Sequence, residues 1–421
     1  MSSGRFDVLV VGGGASGMAA AIAAKQANPR LSVAIVEKGE RMGRKLALTG
    51  NGRCNISNVN AIAASEVNGF LESCGVLLRK DEEDRLYPYS EDAGQVAAYF
   101  VELVANLEVE IFLNTEVKKV EACPEGGFLL LVEGSATDGL PACPSGRRVA
   151  GGRNQSELRA EKVVLATGGK SYPKTGSTGD GYVFARALGH TVSPLRPALV
   201  PVCVELSSGR QVTGSQETGS QDSADLSIRD LAGVRAKARV HLLEKQKVMC
   251  STKGEIQFRE DSVSGICILN LSMLILPHGS LDREGYADYE ISIDFMPDTK
   301  EQVLRNYFEK CGVNEHALRT MVKGKLARVL LDLAGSEPAE MARILKDFRL
   351  QVTGLKGWKD AQVTGGGVSK RELNHGTMES KIVPGLFITG EVVDFAGDCG
   401  GFNLAFAWMT GSRAGRAAAE E

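Results

Sequence analysis

An apolar run, Asp7-Val-Leu-Val-Val11, breaks directly into Gly12-Gly-Gly-Ala-Ser-Gly17. An alanine-rich stretch from Met18 to Gln26 follows, and then a second apolar run, Ser32-Val-Ala-Ile-Val-Glu37. Short continuous apolar runs read as strands buried on both faces, so the order strand, glycine turn, helix, strand is one βαβ unit. Glycines 12, 14 and 17 satisfy G-x-G-x-x-G. Gly12 permits the tight turn, Gly14 lets a pyrophosphate approach the backbone, and Gly17 lets the helix pack closely on the strand. The helix opening at Ala15 and Ser16 directs free N–H groups and its positive dipole end at phosphates. Glu37 stands 20 residues past Gly17, where a carboxylate can accept ribose hydroxyl protons. A glycine turn with no ligand is the competing reading, and the strand, helix and distal carboxylate together argue against it.

NAD and FAD share this fingerprint, so the choice rests on later segments. Lys38 to Asn58 is a long polar loop in which Gly43, Arg44, Lys45, Thr49, Asn51, Arg53, Cys54 and Asn55 suggest backbone held beside a pyrophosphate and a ring system. The bland alternative is a solvated basic loop. Glu161-Lys-Val-Val-Leu165 is another buried strand, ending in Ala166-Thr167-Gly168-Gly169. Gly385-Leu-Phe-Ile-Thr-Gly390 is a third, followed by Glu391 and Asp394. Gly400 and Gly401 then open an apolar helix with Phe402 and Asn403, whose N-terminus suits the negative charge that develops on a reduced flavin. Both ends of the chain are therefore expected to build one FAD site.

A length of 421 residues suggests two or three domains, and 43% hydrophobic with 24% charged residues is a globular composition. With 49 Lys+Arg against 52 Asp+Glu the formal net charge is −3, which supplies no global field for nucleic acid or an acidic membrane. No signal peptide is evident, and no run approaches the ~20 apolar residues of a spanning helix, so a cytoplasmic location is expected. The nine cysteines form no Cys-x-x-Cys pair, which argues against a disulfide framework, a zinc or iron–sulfur site and a dithiol relay. His190, His241, His278 and His316 share no ligand spacing, so no metal is expected.

Gly134–Glu157 and Ser207–Asp225 read as surface insertions. Alternation over Ala236–Leu243, Glu255–Phe258 and Tyr289–Phe295 predicts antiparallel strands. Helical spacing covers Thr299–Cys311, Glu315–Leu333 and Pro338–Phe348.

The combination of Gly12 to Gly17, Gly43-Arg-Lys-Leu-Ala-Leu-Thr-Gly-Asn-Gly-Arg-Cys-Asn-Ile-Ser-Asn58, Ala166-Thr-Gly-Gly169, Thr377-Met-Glu-Ser-Lys381 and the Gly390 to Gly415 segment resembles the BaiN/RdsA family of NAD(P)/FAD-dependent oxidoreductases over nearly the whole chain. The resemblance implies an α/β fold with inserted β and α domains. It has a discontinuous, Rossmann-like FAD domain of the glutathione-reductase type over 1–194 and 361–421, a β-barrel-like insertion over 195–297 with 349–360, and a helical insertion over 298–348. It places FAD contacts on Gly12, Gly14, Gly17, Glu37, Lys38, Arg44, Lys45, Gly168, Gly390, Glu391, Asp394 and Asn403, and adds Val117 to the cofactor set. One segment departs from the family's Phe-Thr-x-x-Gly-x-Ser-Gly pattern: Phe258 to Gly265 has Arg259 for threonine and Ser262 for glycine. Barrel-domain contacts are therefore not carried over.

The activity implied is reduction of a conjugated carbon–carbon double bond by NADH or NADPH through FAD, acting on a small apolar enone such as a 3-oxo-Δ4,6 bile-acid intermediate. The alternatives are reduction of uracil to dihydrouridine in ribosomal RNA and oxygen-dependent oxidation of an amine such as aminoacetone. No second strand-associated G-x-G-x-x-G exists, so NAD(P)H is expected to visit transiently. Cys399 and Tyr172 are the candidate proton donors, each with a packing role as the competing reading. Lys323, Lys325 and Arg328 are the densest basic cluster, which a solvated helix face explains equally well.

Overall fold

The computed structural model describes residues 5–134, 154–207, 226–276, 278 and 282–420. The chain forms two compact units, one from Met1–Pro197 with Gln362–Glu421 and the other from Ala198–Ala361.

In the first unit, strand Arg5–Val11 pairs in parallel with Val33–Val36 on one side and with Asn154–Leu165 on the other. Glu110–Phe112 extends this parallel arrangement beyond Val33–Val36, and Leu386–Ile388 lies parallel to the end of Asn154–Leu165. Two antiparallel strands, Thr115–Ala122 and Phe128–Gly134, complete a seven-stranded sheet. Val8, Leu9 and Val10 are fully buried, as a run without polar alternation requires. The first helix, Ala15–Ala27, is buried from Ser16 through Lys25, and its alanines allow the close approach. Lys25 donates from its ammonium to Pro29 O at 2.7 Å and Leu31 O at 3.2 Å, so its burial leaves no orphaned charge.

The C-terminal helix, Phe402–Ala418, lies against this first helix. A Cβ at Gly411 would stand 2.2 Å from Ser16 O, and one at Gly415 would stand 2.1 Å from Ala20 O. Trp408 stacks on Phe100 at 4.7 Å, both fully buried. Through this sheet and helix pair, the loops after Val11, Val36, Leu165 and Ile388 leave neighbouring carboxyl ends of parallel strands, where open α/β sheets place ligands.

The second unit is a closed six-stranded barrel in the order Val202–Leu206, Ser262–Ser264, Lys247–Phe258, Arg235–Glu244, Tyr289–Asp294, Phe348–Leu355. Its inward residues, among them Val240, Phe258, Ile291 and Leu350, share one apolar cluster with Leu304, Phe308, Leu330 and Met341 of the helices that precede the last strand. The helix expected over Glu315–Leu333 is two, Glu315–Leu318 and Gly324–Ala334. Leu318 O accepts from both Met321 N and Val322 N, which closes the first helix. Lys323 is extended, and the intervening Thr320 and Val322 are poor helix formers. Of the stretches read as surface insertions, Asn154–Glu157 belong to a strand, because the ladder from Leu131–Gly134 continues across them. Residues 135–153 and 208–225 lie outside those described.

Candidate functional site

Gly12 has φ +108°, and a Cβ there would meet Ala166 O at 2.5 Å; one at Gly17 would sit 1.9 Å from Gly12 O. The protein itself forces those two glycines. Gly14 differs, because a Cβ at this position would meet no heavy atom within 4 Å. Nothing in the chain needs a glycine there, and the space before the first turn of Ala15–Ala27 stays open. That helix has no side-chain cap, so the N–H groups of Ala15, Ser16 and Gly17 face this space without an intrahelical partner. Glu37 is fixed at the edge of the same turn: Oε2 accepts from Gly13 N at 2.9 Å and Oε1 from Gly39 N at 2.7 Å. Each oxygen keeps a lone pair for a hydroxyl donor.

Lys38 donates to the Asp180 carboxylate and the Thr178 hydroxyl, and Arg44 donates to Lys174 O at 2.7 Å. Lys45 joins the two ends of the chain. Its ammonium donates to Glu391 Oε2 and to Ser171 Oγ, both at 2.8 Å. Glu391 Oε1 in turn accepts from Thr364 N at 2.7 Å and Ser171 Oγ at 2.8 Å. Burial pushes the Glu391 carboxyl upward, but Lys45 and these hydrogen bonds outweigh it and hold the group below its ordinary range. Gly390 N donates to Thr410 Oγ1 at 2.9 Å, and a Cβ on Gly390 would stand 2.6 Å from Ser16 Oγ.

The loop from Thr49 to Asn55 is held in left-handed backbone at Gly50, Asn51, Gly52 and Cys54. For Asn51 and Cys54 that conformation is uncommon and must be imposed by the surroundings. Thr49 Oγ1 donates to Leu46 O at 2.7 Å, and the Arg53 guanidinium lies 5.1 Å from the Tyr87 ring centre. Cys54 is fully buried, and burial pushes its thiol up to about 11, so it is inert at neutral pH. Oriented to satisfy both groups, the Asn55 amide donates to Ser57 O at 3.0 Å and accepts from Gly401 N at 3.2 Å. Asn58 Nδ2 donates to Gly400 O at 2.9 Å. Gly400 and Gly401 have φ of +122° and +98°, and helix Phe402–Ala418 then begins without a side-chain cap. Ser57 Oγ, fully buried beside Gly401, has no hydrogen-bond partner among the described residues.

The other expected residues have contacts of their own within the chain. Asn403 folds back on its own loop, accepting from Gly397 N and donating to Gly397 O, both at 2.8 Å. Asp394 accepts from Ser193 Oγ at 2.8 Å. Val117 lies in the antiparallel part of the sheet with its side chain buried opposite Val132. Thr167 Oγ1 would stand 2.2 Å from a Cβ on Gly181, and Gly168 takes φ +73° at the turn after Ala166. Cys399 is raised above its ordinary range by burial, which Arg85 only partly offsets, so its thiol is protonated at neutral pH. Tyr172 has φ +52°, and its hydroxyl accepts from Gln362 Nε2 at 3.3 Å.

Ser171, Thr364, Asp180, Ser57 and Asn58 were invisible to sequence reasoning. Their partners lie up to 342 residues away along the chain, and although Ser57 and Asn58 close the Gly43 to Asn58 motif, nothing in it marks those partners. The open space at Gly14, the uncapped helix, the anchored Glu37 and the orphaned Ser57 hydroxyl together fit a long dinucleotide such as FAD.

The family described as HI0933-like protein Rossmann domain matches residues 6–68 and 62–417. The chain is 31% identical to the 3-dehydro-bile acid delta(4,6)-reductase of Clostridium scindens, with 98% of each chain covered. It is 28% identical to the ribosomal RNA dihydrouridine synthase of Escherichia coli, with 96% of each covered. Among solved structures, it is similar to a 3-ketosteroid-delta4-(5alpha)-dehydrogenase from Rhodococcus jostii at a TM-score of 0.50 and 16% identity, covering 99% of this chain and 97% of that one.

Proposed function

We propose, for a chain that belongs to the HI0933-like Rossmann family and is a flavin-dependent oxidoreductase, that it reduces a conjugated carbon–carbon double bond of a 3-oxo-Δ4,6 bile-acid or related steroid intermediate, with NADH or NADPH as hydride source. The observation that carries this reading is the full-length likeness, at 31% identity, to a reductase named for that substrate.

FAD, when bound, supplies two-electron hydride chemistry. The chain's own residues do the rest. The N–H groups of the Ala15–Ala27 first turn would hold the pyrophosphate, and the Glu37 carboxylate would accept from a ribose hydroxyl. The Lys45–Glu391 clamp fixes the loop after Glu37 against the C-terminal segment, so the uncapped Phe402–Ala418 helix is held where its dipole favours negative charge. The Cys399 thiol, in the loop that leads into Gly400 and Gly401, would supply the proton that completes reduction of the double bond.

Anaerobic titration of the purified yellow protein with NADH and NADPH, followed by reoxidation with a 3-oxo-Δ4,6 steroid acid, precursor ribosomal RNA or oxygen, tests the reading. Rapid reoxidation by the steroid acid is expected. Reoxidation by RNA alone replaces the steroid reading with the uracil one, by oxygen alone with the amine-oxidase one, and failure of both nicotinamides to bleach the flavin overturns a reductase. Cys399→Ala is expected to slow the steroid half-reaction by roughly 10²-fold, the lower end of what a positioned proton donor contributes, while bleaching by nicotinamide is unchanged. An unchanged steroid step assigns the proton elsewhere.

A further inference from the structure

The barrel-and-helix unit carries a concavity of about 430 Å³. Its walls hold four cations, Arg235, Lys237, Arg319 and Lys323, and no carboxylate, while Phe295, Met321 and Leu326 supply an apolar floor. Arg235 has Glu255 at 3.6 Å and Arg319 has Glu315 at 3.5 Å, both long, exposed pairs with carboxylates that do not line the concavity. The ammonium groups of Lys237 and Lys323 make neither a hydrogen bond nor an ion pair among the described residues, although Glu255 stands opposite Lys237 on the next strand, and both lysines are exposed. Lys325, the next cation along, is already engaged, donating to Ala232 O at 3.1 Å.

Like charges gathered around a concave surface repel one another and focus a positive potential into it, and an anion relieves both. Lys323 precedes the helix Gly324–Ala334, whose first turn carries no acidic residue and no side-chain cap, adding N–H donors to the same wall. The volume lies in the ~300–1,000 Å³ range of small-molecule sites, and is too large for a lone inorganic anion. Lysine and arginine around an apolar floor suit a phosphorylated ligand with a planar or apolar part. We propose that this groove, lined by none of the residues of the dinucleotide site, is a second ligand site that binds a small phosphorylated molecule of nucleoside-phosphate type.

The test uses FAD-saturated protein, so the dinucleotide site is filled and the reductase reading stands or falls separately. Calorimetric titration with ADP is expected to give one site per chain, displaced by inorganic pyrophosphate. The surface double variant Lys237→Gln/Lys323→Gln is expected to weaken ADP at least about tenfold with flavin content and melting temperature unchanged. Glu315→Gln, which frees Arg319 from its carboxylate partner, is expected to tighten it, a gain that misfolding does not produce. Absence of ADP binding at millimolar concentration, or binding indifferent to the double variant, overturns the proposal. So does binding of a single-stranded oligoribonucleotide but not ADP, with a steep salt dependence, which makes the groove a polymer track.

Discussion

Glycines 12, 14 and 17 share one motif but answer to different neighbours. Gly17→Ala forces a Cβ to 1.9 Å from Gly12 O, so it is expected to lower the melting temperature and abolish flavin retention together. Gly14→Ala meets no protein atom, so it is expected to melt like the parent while binding FAD at least about tenfold more weakly, read by flavin fluorescence. Parental affinity in Gly14→Ala places the pyrophosphate elsewhere. Glu391 makes a second residue-scale prediction. Removing Lys45 strands its carboxylate. The cost is expected at about 1–3 kcal/mol in urea unfolding, discounted from the ~3–5 of a fully buried pair because the side chains are 28% and 17% exposed. Its folded-state pKa lies below the ordinary 4.5, so the stability it contributes is present above that value and is lost as pH falls through the folded pKa. The stability advantage of the parent over Glu391→Gln is therefore expected to shrink as pH is lowered from about 5. An advantage that grows on acidification would show the carboxyl to be raised instead.

At the scale of elements, the site depends on one helix pair. Ala15–Ala27 and Phe402–Ala418 approach closely enough that Gly411 lies against the carbonyl of Ser16, the residue at the mouth of the phosphate turn. Gly411→Val is expected to cost about 1–3 kcal/mol by thermal melting, because neither helix can move without displacing the sheet or the Trp408–Phe100 stack. It is also expected to loosen FAD, since the shift is transmitted straight to Ser16. A stable variant that has lost FAD, or an unstable one that keeps it, would separate the two roles. The glycine, alanine and serine spacing of these helices was on view in the sequence, but their pairing was not.

At the scale of the whole molecule, two separate apolar clusters stabilise two compact units. Differential scanning calorimetry is expected to show more than one transition, with only one of them moving upward as FAD is added, by mass action on the unit that binds it. A single transition that shifts as a whole would mean that the units unfold together.

The sequence by itself determined what is local. The apolar runs at Val8–Val11 and Val163–Leu165, the turn Gly12–Gly17 and the glycine pair at Gly400–Gly401 have conformations set by residue type within a few positions, so the Rossmann strand-and-turn pattern and the dinucleotide chemistry were legible. The strand ladder over Asn154–Glu157 was not, because it is decided by a partner strand, and the break before Gly324 was not, because the apolar spacing runs on across the poor helix formers Thr320 and Val322 that interrupt it. Tertiary structure alone decided that Lys45 meets Glu391, that the Ser57 hydroxyl is buried beside Gly401 with no hydrogen-bond partner among the described residues, and that four cations from two distant segments share one groove. Contacts across such separations depend on loop closure and packing in three dimensions, which no spacing in the chain records.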